Sequence, residues 1–334
     1  MAFSPKKLAV SSLTSLLLAG SLLTTVQAPA SAEEELRQNF VPYTAQGQTS
    51  YYHLYAENID WDQPVGVVFY LDGDYFTTSQ SKVYNPSNSQ LLGMAQVASE
   101  HNMLFVPVIS PDKDAETRGI TWHEDLNGNG DWFRSFANDF MDKYGIDRTN
   151  VWTVGHSGGA EITGFELGAD RQDSWRDGGG SIMVGGGNTN GMQTLPSQAA
   201  QSNLSFHWYV GNLDGKDAAG TPNWSAYNAA QRGYSIYTAA GYQDTFFTEI
   251  PGMDHYRYDF PAILEEALDK VDPLLSGAIG SYYYQNDGAE TLGQPQGREY
   301  TVEGGSQQLF QDKNGKQLLL VWSEQTGQVT PVAL

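Results

Sequence analysis

Ser157 is the residue whose surroundings most clearly indicate chemistry. It is the centre of Gly155-His156-Ser157-Gly158-Gly159. A serine hydroxyl is a weak nucleophile unless a base removes its proton and the chain holds its oxygen exposed. Glycines two residues before and two after the serine permit a tight, strained turn that exposes this oxygen. Because the chain has 36 glycines, the pentapeptide needs support from its flanking residues.

The flanking residues predict a strand before this turn and a helix after it. Val151–Val154 form an apolar run, and Ala160–Leu167 have the composition and spacing of a helix. Strand, sharp turn and helix, with serine at the apex, is the context in which this pentapeptide presents a nucleophile. We therefore predict that Ser157 is the nucleophile.

The base for this serine must come from six histidines. Three lie within strand-like runs or at a helix end, namely His53, His207 and His101. His156 lies within the turn itself, and we expect its side chain to point away from the base. His123 and His255 remain. His255 follows a predicted strand and precedes the last predicted helix, at the edge where a parallel α/β sheet gathers its functional groups. We predict that His255 is the base.

An acid that orients His255 is expected at the end of the preceding strand. Asp214 follows Ser205–Val210 and a glycine turn, which fits this position. Asp217 remains a competitor, because aspartates are common in turns.

An oxyanion formed during acyl transfer needs two N–H donors. We predict the amide of Gly158 as one donor and that of Asp74, in the loop after Val65–Leu71, as the other. Tyr75 is the fallback, and an ordinary Asp-Gly turn is the alternative interpretation of this loop. Trp122 and His123, and Tyr75 through its side chain, are predicted to line the substrate pocket.

The segment Asp125–Asp131 has oxygen-bearing side chains at alternate positions, as at the start of a calcium loop. Phe136 would occupy the twelfth position, where a bidentate glutamate belongs. Since Asp and Asn also cap helices, and a helix is predicted to start near Trp132, we favour a helix-capping loop. We predict no metal site.

Strands alternate with helices along most of the chain. The predicted strands are Val65–Leu71, Met103–Ile109, Asn150–Gly155, Ser181–Gly185, Ser205–Val210 and Thr245–Ile250. The predicted helices are Leu91–His101, Trp132–Tyr144, Ala160–Leu167, Tyr227–Ala240 and Pro261–Leu275. This alternation predicts an α/β fold with a mostly parallel sheet covered by helices on both faces. Tyr51–Leu54 is predicted as an antiparallel edge strand.

The two ends of the chain differ from this central part. Residues 1–32 combine Lys6 and Lys7, an apolar stretch and Ala30-Ser31-Ala32, which predicts a cleaved signal peptide; a retained anchor is the alternative. Residues 33–275 form the predicted catalytic domain. Ser276–Gly280 resembles a linker, and 276–334 is predicted to be a small β-rich module or, alternatively, the last layer of the main fold.

Composition narrows the classes of function. The net charge of −21 disfavours nucleic acid as a partner. The absence of cysteine excludes thiol catalysis and cysteine-ligated metals.

With these residues in the order Ser157, Asp214, His255, the chain resembles secreted α/β-hydrolases. It is similar to the esterases grouped with polyhydroxybutyrate-depolymerase and feruloyl-esterase-like proteins, although the His-Gly-Gly oxyanion loop of many esterases is replaced by Leu71-Asp72-Gly73-Asp74. The tail, with Leu292-Gly293-Gln294-Pro295, resembles one LGFP repeat. Such repeats occur in envelope proteins of mycolate-bearing actinobacteria, where they are thought to hold proteins at the cell wall.

The resemblance implies a secreted or envelope-associated serine esterase that needs no cofactor. Its implied partners are an ester substrate, including envelope lipids or glycolipids, and a cell-wall polymer bound by the tail. No transmembrane anchor is expected after signal cleavage. The alternatives are a mycolyl- or acyltransferase that uses the same triad, a non-catalytic envelope-binding protein and, more weakly, a serine peptidase.

Overall fold

The computed structural model describes residues 36–113, 119–215, 224–271 and 273–334. The predicted signal peptide and Asp217 lie outside the described residues. Eight strands form the main sheet, in the order β1-β2-β4-β3-β5-β6-β7-β8. They are β1 (Arg37–Ala45), β2 (Gln48–Tyr55), β3 (Gly66–Leu71), β4 (Met103–Val108), β5 (Val151–His156), β6 (Gly179–Val184), β7 (Leu204–Gly211) and β8 (Asp244–Ile250).

Strands β3 to β8 pair in parallel, whereas β1 and β2 are antiparallel to their neighbours. This is the α/β-hydrolase fold, with its mostly parallel sheet, and the predicted fold class is confirmed. All six predicted parallel strands are present. Tyr51–Leu54 lies in β2 as predicted, but β2 is not the edge strand, because β1 pairs along its outer side.

Helices cover both faces of this sheet. They are α1 (Ser89–Glu100), α2 (Leu126–Tyr144), α3 (Gly158–Ile162), α4 (Gln198–Asn203), α5 (Ala226–Ala239) and α6 (Phe260–Asp269). Val68 and Tyr70 of β3 pack in the cluster that includes α1 and α6, while Phe69 packs in the cluster that includes α2. The central strands are buried on both faces, which explains their nearly continuous apolar sequences.

The predicted helix Ala160–Leu167 is divided into α3 and a π-helical turn, Thr163–Leu167. Two other predicted helix boundaries were wrong. The helix predicted from Trp132 begins six residues earlier, because Asp125 accepts a hydrogen bond from the Gly128 amide and caps it. The helix predicted to reach Leu275 ends at Asp269.

The tail forms a separate small antiparallel sheet. Its strands are β9 (Gln294–Pro295), β10 (Tyr300–Val302), β11 (Gly305–Gln311), β12 (Gln317–Ser323) and β13 (Val329–Ala333). Two helices precede them, α7 (Gly277–Gln285) and α8 (Gly288–Thr291). The predicted linker Ser276–Gly280 is therefore mostly helical, and Ile279, buried among tail residues, explains why it folds.

The tail contacts the main fold next to the starts of the parallel strands. Asn203, just before β7, donates a hydrogen bond to the Pro295 carbonyl over 2.7 Å. Arg298 pairs at 2.8 Å with Asp244, the first residue of β8. The tail thus lies at the amino-terminal edge of the sheet, opposite the loops that follow the strands.

The helices of the described residues include none with the length and apolar character needed to cross a bilayer.

Candidate active site

Ser157 lies in a strained turn between β5 and α3. Its backbone φ is 50° and its ψ is −116°, an unusual conformation for a residue with a side chain. Its amide donates to the Val184 carbonyl of β6 over 3.0 Å, which fixes the turn to the sheet. A Cβ at Gly159 would lie 2.0 Å from the Leu71 carbonyl oxygen. Glycine is therefore required there, because β3 and the turn approach each other so closely.

The predicted serine, histidine and aspartate meet at the carboxyl ends of β5, β7 and β8. The Ser157 hydroxyl donates to Nε2 of His255 over 2.9 Å. Nδ1 of His255 donates to the Asp214 carboxylate, 2.9 Å from each oxygen. Asp214 is fully buried and His255 is 6% exposed. The arrangement holds the imidazole in the tautomer whose Nε2 can take the serine proton.

Asp214 has further partners that hold its carboxylate in place. The Tyr258 hydroxyl donates to it over 2.5 Å and accepts a hydrogen bond from the Gly211 amide over 2.9 Å. The Asp214 amide also donates to the Gly211 carbonyl. These contacts fix both the loop after β7 and the carboxylate. The competing acid, Asp217, lies outside the described residues.

The two predicted oxyanion donors differ in how the structure places them. Gly158 is the first residue of α3, where backbone amides have no partner within the helix. The Asp74 loop lies against it, because a Cβ at Gly158 would fall 2.0 Å from Oδ1 of Asp74. The fallback donor was wrong: the Tyr75 amide donates to the Ile120 carbonyl over 3.0 Å and is already used. The role of the Asp74 amide stays a prediction.

The Asp74 side chain ties its loop to a neighbouring segment. It accepts hydrogen bonds from the Trp122 amide over 2.8 Å and the Thr121 hydroxyl over 3.0 Å. Burial raises the pKa of this carboxyl. Among the described residues, no lysine or arginine forms an ion pair with it.

Asp72 anchors the start of the same loop. Its buried carboxylate accepts hydrogen bonds from the Ser81 hydroxyl and the Lys82 amide and pairs with the Lys82 ammonium at 3.0 Å. Burial alone would raise the pKa of Asp72, but Lys82, with His156 and Ser81, holds it well below its usual range. The Tyr75 hydroxyl also donates to Asp72, over 3.2 Å.

Glu161, one helical turn after Ser157, is a further buried acid at the site. Its oxygens accept hydrogen bonds from the Gly187 and Asn188 amides, each over 3.1 Å. Burial, with the nearby Asp74 carboxyl, raises the pKa of Glu161 to about 7, against the effect of these amides and of a hydrogen bond from Trp224. The Trp224 ring also packs edge-on against His255, 5.5 Å between centroids.

His156 was expected to point away from the base, and this expectation was wrong. Its Nε2 lies 3.2 Å from the carbonyl oxygen of His255, and the two rings are 5.1 Å apart. The loop that carries His255 folds back over the turn, a tertiary contact for which the sequence carries no signal.

The predicted pocket residues have different surroundings. Trp122 is only 1% exposed and packs in the core beneath α2, so its side chain offers no open surface to a substrate. His123 is exposed, and its ring contacts Phe165 at 6.4 Å. The Tyr75 side chain is half-buried beside the site.

Segment Asp125–Asp131 begins α2 and does not form a metal-binding loop. Helical backbone spreads its side chains around the axis, and Asp131 pairs with Arg171 at 2.7 Å. Its function is capping, as favoured from the sequence.

Sequence reasoning missed Tyr258, Glu161, Trp224 and the contact of His156. Glu161 alone left a signal, an acidic residue within the otherwise small and apolar start of a predicted helix. The others depend on how distant loops meet.

The comparisons with known proteins show similarity of fold. No family model and no curated protein matches the chain. A carboxylesterase from Bacillus cereus is 16% identical, with a TM-score of 0.46, over 66% of this chain and 92% of its own. A poly(3-hydroxybutyrate) depolymerase from Bordetella parapertussis is 14% identical, with a TM-score of 0.46, over 69% and 87%. The match to an uncharacterised Bacillus cereus protein, 14% identical with a TM-score of 0.46, covers 64% of this chain and 62% of that one.

Proposed function

We propose that this protein is a serine hydrolase that cleaves carboxylic esters through an acyl-enzyme. The observation that carries the proposal is the continuous hydrogen-bonded line from Ser157 through His255 to the buried Asp214, on a strained strand-turn-helix. Such a line activates a hydroxyl that is only a weak nucleophile at neutral pH.

The reaction follows from this geometry. His255 takes the Ser157 proton as the oxygen attacks the ester carbonyl, and the resulting oxyanion lies against the amides of Gly158 and Asp74. His255 then gives the proton to the departing alkoxide, which leaves as the alcohol. Water, deprotonated by His255, attacks the acyl-enzyme and releases the carboxylic acid, and Ser157 regains its proton. The buried Asp214 stabilises the imidazolium in both halves.

Exposed apolar side chains beside the site support an ester with an apolar part. Phe76 is 72% exposed and Tyr256 71%, and each lies within two residues of a proposed site residue. Leu213, next to Asp214, is also exposed. Apolar side chains that are exposed next to catalytic residues in the sequence are available to contact an apolar part of the ligand. We therefore expect p-nitrophenyl esters to be cleaved more efficiently as their acyl chain lengthens.

Labelling by a fluorophosphonate tests the proposal most directly, because only an activated serine reacts. We expect stoichiometric labelling of the wild type and none of Ser157→Ala, together with a loss of ester turnover on the order of a millionfold. Near-wild-type turnover in a cleanly purified Ser157→Ala protein would overturn the assignment. An unlabelled wild type would favour a non-catalytic binding protein, and new esters formed with trehalose or glucose present would favour acyl transfer.

We further propose that the protein is exported and that residues 276–334 hold it at a cell-envelope polymer. The signal-like pattern of residues 1–32 and the partial repeat in the tail support this. The tail also has its own apolar cluster, which includes Ile279, Phe310 and Leu320. Fractionation of cells that express either the full chain or a chain without the tail tests this proposal. Equal retention of the two chains in the envelope would contradict it.

A further inference from the structure

His156 occupies the junction of the three loops that build the site. It precedes the nucleophile, its Nε2 meets the carbonyl of His255 at 3.2 Å, and its Nδ1 faces the Asp72 carboxylate at 3.8 Å. The residue is 4% exposed. Glycine at position 73 permits this packing, because a Cβ there would lie 3.2 Å from Nδ1 of His156.

The partners of His156 fix its protonation. A carbonyl oxygen only accepts hydrogen bonds, so Nε2 must carry the hydrogen. Burial lowers the pKa of His156 to about 4, and the charge of Lys82 acts in the same direction. Asp72 opposes this shift, and His255 also faces the ring. The ring is therefore neutral at physiological pH, with its single N–H directed at the His255 backbone.

His255 itself lies in a loop without regular secondary structure, between β8 and α6. Its side chain is held at Nδ1 by Asp214. The loop backbone before it is tied to the loop after β7, because the Leu213 amide donates to the Met253 carbonyl over 3.0 Å and the Gly252 amide donates to Oδ1 of Asn212 over 2.8 Å. An attachment at the carbonyl of His255 itself restrains the backbone from which its Nε2 reaches the Ser157 hydroxyl. In the described structure His156 provides it, from the residue adjacent to the nucleophile.

We propose that His156 is a positioning residue: its Nε2–H bond to the His255 carbonyl holds the base in register with the neighbouring Ser157. The proposal rests on the proposed serine chemistry. It assigns to the residue immediately before the nucleophile a task that the triad does not perform.

Three substitutions of His156 separate this role from simple packing. Glutamine places an amide N–H near the position of Nε2, asparagine places one near Nδ1, and phenylalanine keeps a ring without a donor. We expect His156→Phe and His156→Asn to lower kcat about tenfold, the effect of one hydrogen bond, with KM nearly unchanged. His156→Gln should recover most of the loss. A thermal unfolding curve for each variant shows that the protein remains folded.

An NMR measurement without substrate tests the positioning independently of turnover. The proton shared by His255 Nδ1 and Asp214 should give a low-field signal in the wild type and in His156→Gln, and a weaker, faster-exchanging one in His156→Phe and His156→Asn. Equal kcat and equal signals in all four proteins would overturn the proposal, as would equal losses in the glutamine and asparagine variants. If the wild type neither labels nor hydrolyses esters, the proposed function fails, while the NMR comparison still decides the role of His156.

Discussion

At the scale of single residues, the orienting acid of the site is a buried carboxylate held by hydrogen bonds. Asp214 has two donors around its carboxylate, Nδ1 of His255 and the Tyr258 hydroxyl, and no exposure to solvent. Buried carboxylates are tolerated when they are hydrogen-bonded in this way. The imidazole orientation therefore depends on Asp214 remaining an acceptor only.

Replacing Asp214 by asparagine should lower kcat by about a thousandfold or more, because the amide favours the wrong imidazole tautomer. Steady-state hydrolysis of a p-nitrophenyl ester measures this. Asp217→Asn is the matched control and should have far less effect. A larger loss in the control would show that Asp217 is the orienting acid.

Glu161 should make stability depend on pH. Its pKa is raised from 4.5 to about 7 in the folded protein, so the folded state favours the protonated form. Its contribution is fully present below about pH 4.5 and is lost as the pH rises through about 7, on the order of 3 kcal/mol in all.

Urea unfolding at pH 5 and pH 8 checks this prediction. The fall in unfolding free energy between these values should be smaller in Glu161→Gln than in the wild type. Glutamine places its NH₂ group against one of the two backbone amides, which by itself destabilises the protein. The measurement to compare is therefore the change in unfolding free energy with pH, and not its absolute value. Glu290→Gln, at an exposed tail position, should keep the wild-type slope. Equal slopes in all three proteins would contradict the pKa assigned to Glu161.

At the scale of elements, close packing of β3, β5 and α3 determines where Ser157 points. The turn fits only because Gly155 and Gly159 lack side chains: a Cβ at Gly155 would lie 2.3 Å from the Gly159 carbonyl oxygen. The atoms nearest to these two glycines belong to the backbone, so no flexible side chain could move aside to make room for a Cβ.

Gly159→Ala should therefore destabilise the fold by about 1–3 kcal/mol, the usual cost of overpacking, and lower turnover. Gly215→Ala is the control, since a Cβ there meets no atom within 4 Å, and it should change stability by less than about 0.5 kcal/mol. Chemical denaturation of both variants decides. Equal stability would mean that β3 and the turn can separate at little cost.

The same packing explains what was predictable from the sequence. Ser157, Asp214 and His255 follow strands whose apolar runs are easily recognised, and parallel strands bring their carboxyl ends to one edge. Strand β1 was missed because its residues are mostly exposed or half-buried, so it has no apolar run. His156 was misjudged because its direction depends on a loop 99 residues away along the chain.

At the scale of the whole molecule, the tail and the site lie at opposite edges of one sheet. The tail contacts Asn203, Asp244 and Asp177, which precede β7, start β8 and precede β6. Burial raises the pKa of Asp177 to about 6, and Gln294 of the tail donates to it over 2.8 Å. These contacts are polar, and the tail has an apolar cluster of its own.

Removing residues after Leu274 should leave a soluble protein with kcat within about twofold of the wild type on a small ester. The expected reason is that, within the part of the chain that the structure describes, no tail contact reaches the loops of the site. Ending the chain at Leu274 removes the whole of α7 together with the tail strands, whereas a cut after Gly280 would divide that helix. Asn203→Ala in the full chain, which removes one contact, serves as the control. An insoluble shortened chain would show that the tail is the last layer of the main fold.

The length of the parallel strands has a consequence for a molecule attached through its tail. Strand β5 has six residues, which at about 3.3 Å per residue spans roughly 20 Å between the two edges. If the tail binds a polymer, the catalytic site of the bound molecule would face away from that polymer and could not contact it. Its substrates would then be molecules that approach from the side away from the polymer. The tail would set the distance between the polymer and the catalytic site, and so which part of the envelope the site can reach.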